Sequence, residues 1–477
     1  MNVTLLHENT KNTINEHVFA DLQLNKLLTP NAVNVLRYPC DEKVIRLRQG
    51  FFSALDHEDF FVAVTALRAA LTDLDQCSRV LRMSNTEMER PFLWYQTASR
   101  YIAACRAFSA LRGYCELADD ACDTFESEEQ TALADRLTEA TQKIRSALDG
   151  ISTFELSVAS HTWESFLSET ESVSVQREKL CAMAEELGYS VSDDRKRTVQ
   201  PDWTLSDSFC TLFADELSEI NGIIGEFDIR FEEYTPLIRE LDFYLEMHAL
   251  SGRAKENGIA VCFPEVAGEP RYEAHDACDP SLLVKECDTP VPNDIDFTKE
   301  QSFWFLTGAN GGGKTTYLRC VGINAVFFLG GCGIFAQRAK IFPLKNVCTH
   351  FPQDERFTDT GRFDEEVRRV VSLCKGADES SLLLFNETFG GTDDVRGTDE
   401  AVKTATELCS RGAFGLFVTH FHQVADKGFN MLNAPADEND GTRTYKIYKS
   451  GGNRSSYAED ILKKYALDEL SLSKRRI

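Results

Sequence analysis

One segment, GANGGGKT at residues 308–315, constrains the fold of this 477-residue chain more than any other feature. It fits the pattern G-x-x-x-x-G-K-[ST] and follows the apolar run FWFL at 303–306, so it predicts a strand, a glycine-rich loop and a helix. In such a loop the backbone N–H groups and the helix N-terminus point at phosphate oxygens. The predicted phosphate-binding residues are Gly308, Ala309, Asn310, Gly311, Gly312, Gly313, Lys314, Thr315 and Thr316.

Two side chains of this motif have defined chemistry. Lys314 has the reach to contact the β- and γ-phosphates of a nucleoside triphosphate, and the hydroxyl of Thr315 suits a Mg²⁺ ion. A chance glycine-rich turn is the alternative, and the strand before and the helix after it argue against that reading.

A second apolar run, LLLF at 382–385, ends in the polar pair Asn386 and Glu387. At the end of a neighbouring strand, Glu387 is a candidate base that activates water for attack on the γ-phosphate. Asn386 occupies the metal-side position and brings no charge, so we expect weaker Mg²⁺ binding than with a carboxylate. The alternative for Glu387 is a surface acid at a strand end.

A third run, Phe414–Thr419, ends at His420, and His422 follows two residues later. His420 is a candidate contact to the γ-phosphate or to the attacking water. The alternatives are a metal pair formed by the two histidines or an ordinary core histidine, and spacing suggests no third metal ligand.

Charge limits the partners. The chain has 51 basic and 76 acidic residues, a net charge of −25, which excludes a generally basic nucleic-acid-binding protein. Residues 116–175 hold three basic and fourteen acidic residues, which disfavours DNA binding there. The short basic clusters at 195–197, 463–464 and 474–476 are interpreted as solvated charges, with contact to a DNA backbone as the alternative.

Pattern divides the chain into two parts. Residues 1–250 carry a net charge of −20 and helical-period stripes such as Leu217, Ile220 and Ile224, whereas the second half alternates short apolar runs with helical stretches. We predict an all-α helical core or lever domain at 1–260, with room for a short acidic clamp. An α/β P-loop domain with a largely parallel sheet is predicted at 261–477, its boundary near 262–271.

Three smaller expectations complete this picture. A strand is predicted at Thr444–Tyr448, after an exposed loop at 433–442. The apolar stretch Val321–Ala336 is interpreted as a buried helix and its exit turn rather than a membrane segment. Fifteen dilute cysteines without a C-x-x-C pair indicate reduced, mostly buried thiols and a cytoplasmic protein.

These residues resemble the ATPase domain of the MutS mismatch-repair family, a branch of the ABC-type ATPases. The resemblance covers about 260–470, and the order and spacing of its segments carry it. The first half is compatible with the family's helical core or lever. The matching segments are VPNDIDF (291–297), TGANGGGKTTYLR (307–319), GIFAQRAKIFP (333–343), GRF-DEE (361–366), LLLFNETFGGTDDVRG (382–397), FVTHFH (417–422) and RSSYAEDI (454–461).

The resemblance implies further roles. Asn293 lies near the nucleotide base, Asn386 at the metal, Glu387 as the catalytic base and His420 as the γ-phosphate sensor. It implies ATP and Mg²⁺ as ligands and a homodimer in which a loop completes the partner's site. The loop residues are Gly391, Thr392 and Asp393.

The chain also departs from the family. Asn386 replaces the usual Asp, Asp393 replaces a Ser that faces the partner's nucleotide, and Arg396 replaces an acid. A carboxylate there repels a phosphate unless a cation or proton intervenes. The chain starts almost at the helical domain, so we expect a diverged member without the N-terminal mismatch-recognition domain.

The leading hypothesis is a MutS-like, Mg²⁺-dependent ATP hydrolase, with low turnover allowed, whose nucleotide state moves helical levers. Mismatched-DNA binding is expected from the family and disfavoured by charge. The alternative is a dimeric nucleotide-binding scaffold with weak hydrolysis that recruits a protein partner. A third hypothesis is a DNA-remodelling clamp that uses a partner's basic surface.

Overall fold

The computed structural model describes residues 4–6, 12–84, 89–150, 152–159, 162–172, 182, 209–229, 231–285, 290–351, 362–435 and 443–450. Two compact units divide the chain: Met1–Leu5 with Asp56–Leu241, and Leu6–Leu55 with Asp242–Ile477. Residues 6–55 and 242–260 therefore pack with the unit that carries the glycine-rich loop. This division differs from the predicted boundary between residues 260 and 261.

The described helices, in chain order, are α1 (Glu16–Asp21), α2 (Leu24–Leu27), α3 (Pro30–Leu36), α4 (Glu42–Ala54), α5 (Glu58–Met83), α6 (Arg90–Ser109), α7 (Glu116–Phe125), α8 (Glu128–Gly150), α9 (Ala214–Gly225), α10 (Thr235–Glu256), α11 (Lys314–Leu329), α12 (Arg362–Lys375) and α13 (Asp394–Ser410). Short 3₁₀ helices lie at Phe231–Tyr234, Pro280–Lys285 and His422–Lys427.

The described strands are β1 (Ser152–Ala159), β2 (Thr162–Ser172), β3 (Glu265–Val266), β4 (Tyr272–Ala277), β5 (Asn293–Phe297), β6 (Phe303–Gly308), β7 (Arg338–Ile341), β8 (Asn346–His350), β9 (Ser381–Asn386), β10 (Phe414–Val418), β11 (Asn430–Ala434) and β12 (Tyr448–Ser450).

Apolar residues spaced three and four apart form the buried faces of helices in the first unit. Five buried residues of α5 share one stripe: Phe60, Val64, Leu67, Leu71 and Leu74. The stripe predicted in α9 is confirmed, since Leu217, Ile220 and Ile224 are all buried. Stripes of this kind account for the packing of α5 and α9 in the first unit.

The expectation of an all-α first domain is wrong in one place. Strands β1 and β2 form an antiparallel pair in which Phe154 lies opposite Leu167 and Ala159 opposite Thr162. The sequence of β1 alternates apolar and polar residues, with Phe154, Leu156 and Val158 two apart, which is the period of a strand. The helical pattern of the preceding segment, which forms α8, obscured this short signal.

The main sheet of the second unit has six strands in the order β12-β11-β6-β10-β9-β8. The pairs β11–β6, β6–β10, β10–β9 and β9–β8 are parallel, and only the β11–β12 pair of this sheet is antiparallel. The prediction of a largely parallel sheet is thus confirmed. Because parallel strands end at one edge, Gly308, Asn386 and Val418 lie along the carboxyl edge of this sheet.

A smaller sheet with the order β3-β7-β4-β5 belongs to the same unit. Its strand β4 is held to α11, because the hydroxyl of Tyr272 donates to the carbonyl of Val321 at 2.9 Å. The backbone of Cys262 forms an isolated antiparallel β-bridge with that of Ile334, and β3 pairs with β7. The segment 262–271, predicted as a domain boundary, is therefore paired into this sheet.

Helix α11, which begins directly after the glycine-rich loop, is enclosed by the second unit. Residues 320–336 are buried, which confirms the prediction of a buried helix and exit turn at Val321–Ala336. The one amide in this stretch, Asn324, donates to the carbonyls of Cys278 and Cys320 and accepts from the N–H of Phe335 at 2.8 Å. Across the described ranges, no helix has the length and apolarity that a membrane crossing requires.

Arg48 of α4 lies at the far end of α11. Its guanidinium is buried and donates to the carbonyl of Leu6 at 2.9 Å and to that of Gly330 at 3.2 Å. Gly330 ends α11, so a cation meets the negative end of that helix. A Cβ added to Gly331 would lie 2.5 Å from Cβ of Arg48, which shows how closely the two chains approach.

Candidate functional site

The glycine-rich loop runs from the end of β6 to the start of α11 and requires its glycines. Gly308 has φ +126°, and a Cβ there would lie 2.4 Å from the carbonyl oxygen of Ala434 on β11. Gly311 and Gly313 have φ of +72° and +92°, in the left-handed region that favours glycine. Gly313 is the N-cap of α11, so the positive end of a sixteen-residue helix faces the loop.

Lys314 is buried, and its ammonium group lies within the loop. It donates to the carbonyls of Gly308 at 2.8 Å and Ala309 at 3.1 Å, and it lies 3.4 Å from Oδ1 of Asn310. Burial lowers the pKa of Lys314, and the carboxylate of Glu387 opposes that shift. The lysine is therefore a partly desolvated cation with an acid nearby.

Thr315 and Asn386 meet across the edge of the sheet. The hydroxyl of Thr315, at the start of α11, donates to Oδ1 of Asn386, at the end of β9, over 3.2 Å. Two neighbouring ligands of an octahedral Mg²⁺ ion, each about 2.1 Å from the metal, are about 3 Å apart. The spacing of these two oxygens and their hard character fit such an ion.

Glu387 follows β9 at a turn with an unusual backbone. Its φ is +50° and that of Phe389 is +68°, a conformation that costs roughly 1–3 kcal/mol for each non-glycine residue. The N–H of Glu387 donates to the carbonyl of Val418 at 2.8 Å, and its own carbonyl accepts from Gly390 at 3.1 Å. The turn is thereby held against β10 while the carboxylate of Glu387 remains exposed.

His420 lies beside this turn. A Cβ added to Gly390 would be 3.4 Å from Cε1 of His420, and the imidazole is exposed. Thr419 fixes the segment, because its N–H donates to the carbonyl of Leu306 and its hydroxyl accepts from the N–H of Phe421, both at 3.0 Å. Exposure of His420 argues against the alternative of a core histidine.

A metal site formed by His420 and His422 would need further ligands near the two imidazoles. Within the described parts of the chain, no group of three or more His, Cys, Asp or Glu residues is placed to hold a metal ion. The oxygen pair of Thr315 and Asn386 is a different kind of site, since neither residue belongs to those four types.

Asn293 is engaged by a segment that sequence reasoning did not connect with it. Its amide donates to the carbonyl of Tyr445 at 3.0 Å and accepts from the N–H of Ile447 at 2.7 Å. The predicted strand at Thr444–Tyr448 is wrong, because β12 begins only at Tyr448 and Tyr445 has φ +56°. The segment 445–447 is therefore held by hydrogen bonds to the side chain of Asn293 rather than by backbone pairing with a strand.

Tyr445 is a site residue that the sequence analysis missed. Its side chain is 51% exposed, and its Cδ1 lies 3.4 Å from the position of a Cβ on Gly313. An aromatic ring thus stands directly beside the glycine-rich loop. An aromatic residue in a polar segment, TRTYKIYK at 442–449, was the available signal.

The loop Gly391–Asp393 leads into α13. The carboxylate of Asp393 is the N-cap of that helix and accepts from the N–H of Arg396 at 3.0 Å. The guanidinium of Arg396 lies over the ring of Phe363, 5.1 Å from its centroid. Asp393 therefore has a local partner in the helix N-terminus, and Arg396 packs on an aromatic ring.

The structure brings most of the predicted residues to one edge of the sheet: residues 308–316 at the end of β6, Asn386 and Glu387 at the end of β9, and His420 after β10. The side chain of Asn293 is hydrogen-bonded to the main chain of Tyr445 and Ile447. The predicted basic clusters at 195–197, 463–464 and 474–476, and the segment 454–461, lie outside the described residues.

A glycine-rich loop at the carboxyl edge of a largely parallel sheet, followed by a buried helix, defines this unit as an α/β domain. Residues 304–457 match the family model described as MutS domain V. The resemblance to the MutS family is thereby confirmed, and residues 304–457 carry that family's domain V.

Curated relatives agree with this result. The chain is 30% identical over 215 residues to a protein of Bacillus cytotoxicus named Endonuclease MutS2, a match that covers 44% of this chain and 26% of the relative. A protein of the same name from Streptococcus suis is 25% identical over 281 residues, covering 56% of this chain and 35% of the relative. The chain thus spans about a quarter to a third of the length of these relatives.

Proposed function

We propose that this chain binds ATP with Mg²⁺ at the carboxyl edge of the six-stranded sheet and hydrolyses the γ-phosphoryl group. The observation that carries the proposal is the convergence of Lys314, the Thr315–Asn386 pair and Glu387 at one edge. Phosphoryl transfer needs a loop that holds the phosphates, a cation, oxygen ligands for a metal ion and an acid near the attacking water.

The loop and Lys314 bind the triphosphate. Phosphate oxygens accept from the N–H groups of the loop, and the ammonium of Lys314 exchanges loop carbonyls for phosphate oxygens. Because that ammonium is buried, its attraction to the phosphates is screened less than that of a surface lysine. Tyr445, held by Asn293, stands at the mouth of the loop and supplies an aromatic face for the base.

Thr315 and Asn386 would hold the Mg²⁺ ion. When bound, the ion neutralises charge on the β- and γ-phosphate oxygens. Asn386 offers a neutral oxygen, so the protein contributes no negative charge from that position. We expect the affinity for Mg²⁺ to be lower than with a carboxylate at residue 386.

Glu387 and His420 act on the other side of the γ-phosphate. The exposed carboxylate of Glu387 accepts a proton from the attacking water, and the imidazole of His420 donates to a γ-phosphate oxygen. The turn after Glu387 lies beside His420, and the carboxylate of Glu387 acts on the pKa of Lys314, which supports a role for both side chains at a phosphoryl group held by the loop.

Steady-state ATP hydrolysis by the wild type and by Glu387→Gln tests this assignment. We expect turnover to fall about 10²- to 10⁴-fold with ATP binding retained, the range for loss of a general base. Glu379→Gln is the matched control, because Glu379 is an exposed acid at the opposite, amino end of β9. Equal turnover in wild type and Glu387→Gln would refute Glu387 as the base.

A second candidate function is a dimeric nucleotide-binding scaffold with weak hydrolysis that recruits a protein partner. The neutral Asn386 favours it, and so does Asp393, which by the resemblance replaces a serine that faces the partner's nucleotide in the family. In this candidate two chains pair through their ATPase domains, and residues 391–393 reach across. Calorimetry with ATP and Mg²⁺, set beside turnover, separates the candidates, since tight binding with negligible turnover identifies the scaffold.

A MutS-like role in DNA repair is the family's expectation for the whole protein. The acidic residues at 116–175 oppose binding of a polyanion, and we therefore propose that this chain alone does not bind DNA. A gel shift with homoduplex, mismatched and branched DNA at low and high salt tests this. A shift at low salt that high salt abolishes would contradict the proposal.

A further inference from the structure

The turn after Glu387 is joined to β8 by a hydrogen-bonded pair, the buried Thr388 and the partly buried His350, which the proposed chemistry does not use. Thr388 is fully buried, and its Oγ1 lies 3.0 Å from Nδ1 of His350 and 3.3 Å from the carbonyl oxygen of His350. His350 ends β8, the strand that pairs with β9, and it lies opposite Phe385 in the register. The pair therefore joins the turn to a neighbouring strand.

The hydrogen atoms in this pair are assigned by its chemistry. The carbonyl oxygen of His350 only accepts, so the single hydroxyl hydrogen of Thr388 points to it. Nδ1 of His350 must then carry a hydrogen and donate to Oγ1 of Thr388. Both functions of the hydroxyl are thus satisfied by one residue, and they fix the side chain of Thr388 in direction as well as position.

The turn needs such a fixed point. Glu387 and Phe389, on either side of Thr388, both have left-handed backbones. The N–H of Glu387 is anchored to β10 through Val418, and the ring of Phe389 packs against Phe363, with ring centroids 5.9 Å apart. Thr388 supplies the polar link from this strained turn to β8.

We propose that Thr388, held by His350, is a positioning residue that fixes the backbone from which Glu387 presents its carboxylate. The inference rests on the proposed function of Glu387 as the base for ATP hydrolysis. Thr388 and His350 act through the turn and do not touch the substrate.

The test compares two substitutions of Thr388 in the full chain. Thr388→Val keeps the shape and removes the hydroxyl, while Thr388→Ser keeps the hydroxyl. We expect Thr388→Val to lower kcat about 10- to 100-fold, as a small misplacement of a reacting group does, with little change in the KM for ATP. Thr388→Ser is expected to restore kcat. A kcat of Thr388→Val equal to that of the wild type, or a Thr388→Ser variant as slow as Thr388→Val, would overturn the proposal.

The same comparison in a Glu387→Gln background shows whether Thr388 acts through Glu387. We expect Thr388→Val to cause no further loss there, because the group that it positions is already gone. An equal fold-loss in both backgrounds would overturn the proposal. Failure of the proposed function looks different, since Glu387→Gln alone would then leave kcat unchanged.

A second pair of variants decides the matter where Thr388→Val does not fold. His350→Asn keeps a side-chain N–H donor near the place of Nδ1, and His350→Leu removes it. We expect His350→Asn to keep most of kcat and His350→Leu to lower it as Thr388→Val does. Equal kcat in the two His350 variants would overturn the proposal.

Discussion

Replacing Asn386 by Asp should strengthen Mg²⁺ binding in a way that the geometry makes calculable. The side chain keeps its shape, and its Oδ1 can still accept from the hydroxyl of Thr315, which lies 3.2 Å away. The change therefore adds one negative charge at the pair of oxygens that fits the ion. It also brings that charge beside Glu387, where repulsion is relieved when a cation binds.

The magnitude follows from Coulomb's law. A unit charge and a divalent cation about 4 Å apart attract by about 2 kcal/mol in water, and the attraction grows in a medium of lower dielectric and at the shorter distance of a direct ligand. Since Asn386 is partly exposed, the water value is the appropriate lower bound. It corresponds to a Mg²⁺ affinity about 30-fold higher in Asn386→Asp.

The assay is the Mg²⁺ concentration that gives half-maximal ATP hydrolysis, or half-maximal ATP binding where hydrolysis is slow. Asn257→Asp is the matched control, because Asn257 is exposed beyond the end of α10 and the substitution changes net charge equally. We expect a leftward shift of about 30-fold for Asn386→Asp and none for the control. Equal Mg²⁺ dependence in wild type and Asn386→Asp would refute the assignment of the metal-ligand pair.

Two further predictions concern the loop and the turn. Gly308→Ala should lower the free energy of unfolding by more than about 2 kcal/mol and abolish ATP binding, because the added Cβ would lie 2.4 Å from the carbonyl oxygen of Ala434 and φ is +126°. Chemical denaturation measures the loss, with Gly391→Ala as the control, because a Cβ on Gly391 meets nothing within 4 Å. Equal stability of the two variants would contradict the prediction. Burial, with the nearby charges of Arg369 and His17, lowers the pKa of His350 from 6.5 to about 4, so the folded state favours the neutral imidazole. The contribution of neutral His350 to the free energy of unfolding is present above pH 6.5 and is lost as pH falls toward 4, because the unfolded chain takes up the proton first. Between pH 7 and pH 5 the free energy of unfolding of the wild type should therefore fall by about 1 kcal/mol more than that of His350→Asn, a value reduced for the partial exposure of the imidazole. Parallel pH profiles of unfolding free energy would contradict the assignment.

Local patterns predicted the centre of the site. The strand ends were predictable from the runs Phe303–Leu306, Leu382–Phe385 and Phe414–Thr419, because each is mostly apolar and parallel strands bring such ends to one edge. The glycine-rich loop was predictable because its spacing has few other uses. Nothing in these arguments required knowledge of distant contacts, and the structure gathers those residues as expected.

Distant contacts explain what sequence reasoning missed. Asn293 and Tyr445 are 152 positions apart in the sequence, so no local pattern indicates the hydrogen bonds from the amide of Asn293 that keep Tyr445 out of a strand and beside Gly313. The pair of Thr388 and His350 is 38 residues apart and depends on which strand lies next to β9. Periodicity within one segment carries no information about either pairing.

Enclosure gives α11 a mechanical character. The N-terminus of the helix follows the loop at Gly313, and its C-terminus is hydrogen-bonded at Gly330 to the guanidinium of Arg48. Dense packing along its length leaves little slack, because protein interiors resist compression. A shift of α11 at Gly313 would therefore be expected to reach Gly330 as well, where Arg48 joins the end of the helix to the carbonyl of Leu6.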